Sequence, residues 1–91
     1  MSTITLKYPV QDGAATFNEV SLRRPKVRDI AAGERARSKD GEMGFTIAML
    51  SAMSGLDAKI IEELDIADFM KVAEAMTEMI GNDRPLQVGG A

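Results

Sequence analysis

The chain contains no cysteine, no histidine and no tryptophan. Without thiols or imidazoles it has no disulfides, no tetrahedral Cys/His zinc site and none of the usual nucleophile–base pairs of acyl transfer. Aromatic residues make up only 4% of its 91 residues, so Ile, Leu, Val, Ala and Met must supply the core. No apolar run approaches the roughly 20 residues needed to cross a bilayer, and Lys7 and Pro9 interrupt any leader-like run near the start. With nothing to export or anchor the chain, the expected location is the cytoplasm. The glycines are scattered, and neither a phosphate-binding nor a dinucleotide fingerprint occurs. The carboxylate pairs Glu62/Glu63 and Asp65/Asp68 are better explained by helix capping and solvated faces than by acid–base chemistry. The expectation is therefore a protein that is not an enzyme and uses no metal and no cofactor.

What is present fits one α+β domain: an N-terminal β-hairpin packed on a small bundle of three to four α-helices. The expected boundaries are a single domain over 1–81, with the hairpin in 1–24 and the helical part in 25–81, followed by a flexible tail over 82–91. Thr3 to Val10 alternates, placing Ile4, Leu6, Tyr8 and Val10 on one face, the period of a half-buried strand. Gln11-Asp12-Gly13 supplies turn chemistry. A second run puts Val20 and Leu22 on one face but leaves Phe17 out of phase, an offset that a loop end or bulge absorbs. Pro9 marks its strand as an edge. Two strands alone are marginal in water, so the hairpin must pack on helices or extend into another sheet.

Pro25 introduces the helices. Val27, Ile30 and Ala31 follow helical spacing, although Gly33 weakens this segment by about 1 kcal/mol relative to alanine. Ser38 to Gly44, with two glycines, reads as a loop or frayed junction. Phe45 to Ser54 carries no charge and is apolar around most of its circumference, the pattern of a central, buried helix ending at Gly55. Asp57 caps a short helix carrying Ile60, Ile61 and Leu64, and Asp65 caps the last one. In that last helix Ile66, Phe69, Met70, Ala73, Met76, Thr77 and Ile80 trace an apolar stripe four turns long, with Val72 and Met79 off it.

Charge is uneven within a net of −3. Arg23, Arg24, Lys26, Arg28, Arg35, Arg37 and Lys39 crowd one segment, whereas Asp57, Glu62, Glu63, Asp65, Asp68, Glu74, Glu78 and Asp83 dominate another. Such polarity usually reflects solvated helix faces. The acidic balance, the scarcity of stacking aromatics and the uncharged helix after Gly44 argue against nucleic acid as a partner. Apart from Met1, every methionine lies in the helical part: Met43, Met49, Met53, Met70, Met76 and Met79. Thioethers fill gaps in an aromatic-poor core, and they also suit surfaces that accept imprecise partners. If both faces of the last helix are apolar, one is free for a partner.

The order of features also resembles a known family. Thr3-Ile-Thr-Leu-Lys-Tyr-Pro-Val, a second strand ending Leu22-Arg-Arg-Pro25, and Val27-Arg-Asp29-Ile30 are similar to the opening of the tail assembly chaperones of Mu-like and P2-like contractile-tailed bacteriophages. Leu50-Ser-Ala-Met-Ser-Gly-Leu56, Ile60-Ile-Glu-Glu-Leu-Asp65 and Asp68-Phe69 extend the likeness through roughly Thr3 to Gly81. The resemblance implies a chaperone that holds the helical tape measure protein soluble in the bacterial host cytoplasm and is missing from the mature virion. It also implies a possible frameshifted longer form. A homo-oligomer, such as a dimer through the unpaired hairpin, is expected as well. The partner contacts expected on the central and last helices are Met49, Met53, Met76, Met79 and Ile80. A structural tail subunit retained in the virion and a small DNA-binding regulator are the alternative readings.

Overall fold

Alternating apolar residues pair β1 (Ser2–Asp12) with β2 (Ala15–Leu22) into an antiparallel hairpin joined by Gly13 and Ala14. The computed structural model describes residues 2–81 of the chain, so the flexible tail expected over 82–91 lies outside the described residues. The hairpin is not regular. Thr5 pairs with Glu19 and Val10 with Phe17, so Leu6, Lys7, Tyr8 and Pro9 stand opposite Asn18 alone. This bulge in β1 brings Phe17 back into register. It also turns Tyr8 outward, so the expected four-residue inner face reduces to buried Leu6 and Val10 with half-buried Ile4. Val20 and Leu22 are buried on β2, as their spacing predicts.

Helix α1 (Val27–Ser54) is broken by non-helical backbone at Asp40 and Gly41, the latter with φ 71°. That left-handed backbone is accessible to glycine at little cost, and it lets arms 27–39 and 42–54 fold back on each other as a helical hairpin. A methyl group added at Gly33 would lie 2.9 Å from the Phe45 ring and 3.1 Å from Met49 Cγ. One added at Gly44 would lie 2.7 Å from the Ala36 carbonyl oxygen. Both glycines therefore stand where the arms touch. The apparent weakness of Gly33 is a close-packing position, and the expected loop at Ser38–Gly44 is a tight turn. Arg37 spans the same seam, its guanidinium 4.3 Å from the Phe45 ring centre and 3.2 Å from Glu34.

The two remaining helices start where their caps predict. Asp57 accepts the Lys59 N–H at 2.9 Å to open α2 (Ala58–Glu62). Asp65 accepts the Ala67 N–H at 2.9 Å to open α3 (Ile66–Ile80). Gly55, with φ 77°, closes α1 by donating its N–H to Ser51. The buried side chains of hairpin and helices form one hydrophobic cluster, from Leu6 and Leu22 through Met49 and Leu50 to Val72 and Ile80.

Two buried carboxylates tie the layers together. Asp68 in the first turn of α3 is fully buried, and its two oxygens accept the N–H groups of Lys7 and Tyr8 at 3.0 and 2.9 Å. The bulge frees those two donors from the β-ladder, and Asp68 satisfies them. Asp29 accepts from the Lys26 N–H at 2.7 Å and pairs with Arg23 at 2.8 Å. Arg23 also donates to the Ala52 carbonyl at 3.0 Å, so one side chain joins the end of β2 to both arms of α1.

Hydrogen bonding sets the charge state of both acids. The N–H groups of Lys7 and Tyr8 hold the Asp68 carboxyl below the usual carboxylate range, against the opposing effect of burial. The Arg23 guanidinium does the same for Asp29, helped by the Lys26 N–H.

Candidate functional site

The inner face of α3 is Asp68, Val72, Met76 and Ile80, residues spaced four apart. It shares Met76 and Ile80 with the stripe traced from sequence and adds Asp68 and Val72. Ile66 and Met70 lie two residues on either side of Asp68, about 200° around a helix of 3.6 residues per turn, and therefore face outward. Ile66 is 66% exposed and Met70 63%. Val72, expected off the stripe, is fully buried. One face of α3 is free and carries Ile66 and Met70, whereas Met76 and Ile80 of the same sequence stripe are buried and Phe69 is half-buried.

Five residues were expected to make partner contacts, and the structure separates them. Met49, Met53 and Met76 lie in the hydrophobic cluster, with Met49 0% exposed. Ile80 is buried as well, whereas Met79 is half-buried. Met79 and Ile80 share a groove with Pro25, Val27 and Ile30, lined also by Arg24 and Lys26. Val27, 84% exposed, stands over it.

A second groove lies between the 42–54 arm of α1, the end of α2 and the start of α3. Met43, Ile47, Ile61, Leu64, Ile66 and Phe69 line it, with Glu62 as its one charged member. Its cavity is about 190 Å³, the space of roughly six waters and enough for one large apolar side chain. Met43, 54% exposed, stands at one side, and Met70 adjoins Phe69 and Ile66 on the other. Exposed Glu42, Glu63 and Asp65 adjoin the lining residues in the chain, and no Lys or Arg does. Among the described residues none of these four acids forms an ion pair.

Sequence reasoning missed Ile66 and Met70. The available signal was Asp68: a first-turn aspartate in register with Val72, Met76 and Ile80 marks the inner row once its burial is allowed.

Among the described residues no group of acidic side chains is arranged to hold a metal ion, and no helix is long and apolar enough to cross a membrane. A small α+β domain that leaves apolar grooves open on its helical side has the form of a protein-binding module. The chain matches the family model of the phage tail assembly chaperone proteins (E, or 41 or 14) over residues 3–81, and it belongs to that family. No curated protein and no solved structure matches it.

Proposed function

We propose that this chain is a non-enzymatic chaperone that binds the tape measure protein and keeps it soluble during tail assembly. The observation that carries this reading is the set of large apolar side chains left more than half exposed on the helical half: Val27, Met43, Ile66 and Met70. A domain of this size has little stability to spare, and side chains that add nothing to its own core are explained by a client. Long helical clients with apolar stripes aggregate when bare, and flexible thioethers accommodate imprecise helical surfaces. In this reading the protein acts in the bacterial host cytoplasm, leaves before the virion matures, and exists alongside a frameshifted longer form. Self-association, as a dimer, belongs to the same proposal, because each strand of a two-stranded sheet has an unpaired edge.

Co-expression tests it. The tape measure protein of the same phage is expected to move from the pellet to the soluble fraction when the chaperone is present and to co-purify with it. Equal solubility with and without the chain would refute the reading.

A further inference from the structure

The two apolar grooves formed by the described residues above differ in sign. The one at the start of α3 has Glu62 in its wall, and exposed Glu42, Glu63 and Asp65 are next in the chain to its lining residues. The one at the end of α3 has Arg24 and Lys26 in its lining. The geometry points to the acidic groove as the client site, and to its occupant as an apolar helical segment flanked by Lys or Arg. This inference rests on the chaperone reading and adds to it a location and a client chemistry.

Three observations carry it. First, the acidic groove gathers the exposed side chains: Met43, Ile66 and Met70 belong to it or adjoin it, whereas Val27 is alone at the other. Second, its cavity takes one large apolar side chain, and outward-facing Ile66 and Met70, one helical turn apart, continue the apolar surface along α3. A helix that anchors one residue in the cavity lays its next turn over that ridge. Third, the surrounding carboxylates have no cationic partner among the described residues. A client with apolar anchors and basic flanks places positive charge beside them, and one with acidic flanks is repelled.

Two synthetic helical peptides with the same leucine stripe, one flanked by lysines and the other by glutamates, provide the probe. The lysine-flanked peptide is expected to bind the full-length chain at least about tenfold more tightly, with an affinity that weakens as salt rises. The double variant Ile66→Gln/Met70→Gln changes only exposed side chains, so it keeps the wild-type melting temperature while losing the peptide. Val27→Gln in the basic groove leaves binding unchanged. Equal binding of the two peptides, or binding abolished by Val27→Gln and retained by the double variant, overturns the assignment. So does concentration-dependent self-association that disappears in the double variant, because the groove's occupant would then be a second copy. The chaperone reading fails separately: if the wild-type chain does not solubilise the tape measure protein, that reading is lost, whereas solubilisation that survives Ile66→Gln/Met70→Gln removes only the groove.

Discussion

Truncating Met49 to alanine is expected to destabilise the domain by about 2–5 kcal/mol, and the same change at Met70 by no more than about 0.5 kcal/mol. Met49 has no exposed surface and sits against Gly33 at the seam between the two arms of α1. Removing its thioether leaves a void that rigid helices fill only in part. Met70 projects into solvent and loses almost nothing from the native state. Against a total stability of about 5–15 kcal/mol, the first variant gives up a large fraction of the fold. Denaturant titration measures both: the midpoint falls sharply for Met49→Ala at an unchanged slope and barely moves for Met70→Ala. Comparable losses at the two positions would mean that the faces of these helices have been assigned incorrectly.

The second large effect concerns Asp68. Asp68→Asn is nearly isosteric, yet it supplies one carbonyl oxygen where two N–H groups need acceptors. Its amide group would meet the Lys7 or Tyr8 N–H donor to donor. A buried backbone donor left without a partner lowers the melting temperature by roughly 10 °C in a domain of this size. The pH dependence distinguishes this from a generic packing loss. Hydrogen bonds in the folded state hold the Asp68 and Asp29 carboxyls below their ordinary range. Their contribution is therefore complete above the unfolded carboxylate pKa of about 4 and is lost as pH falls through the folded values. Melting temperatures measured from neutral pH down to about pH 2.5 should fall steeply below about pH 4 for the wild type and less steeply for Asp68→Asn. Parallel curves for the two proteins would show that Asp68 does not carry the charge-dependent latch.

Much of this architecture is legible in the sequence because it rests on local rules. Alternation gives the strands, Asp57 and Asp65 cap their helices, and Gly55 stops α1 in a left-handed conformation. The features that escape are those whose reasons lie far along the chain. The β1 bulge is held by a carboxylate some sixty residues away, so alternation alone places Tyr8 inside. Gly33 reads as a helix defect until Phe45 and Met49 fold back against it. The full inner row of α3 escapes for a similar reason. Apolar periodicity gives an aspartate no weight as a core residue, yet Asp68 begins the inner row and sends Ile66 and Met70 outward. Met49, Met53 and Met76 carry the adaptable chemistry expected of a client surface, but the fold uses them internally and leaves Met43 and Met70 outside.

Hydrogen exchange of the chain alone and in complex with the tape measure protein tests the central claim most directly. The claim is that the client sits on surface the fold leaves uncovered, without opening the core. Added protection is expected in residues 42–47 and 60–70, with exchange in the hairpin and at the buried end of α3 unchanged. Accelerated exchange around Met49, Met53 and Met76 on binding would contradict the account, because the client would then be held by the core itself.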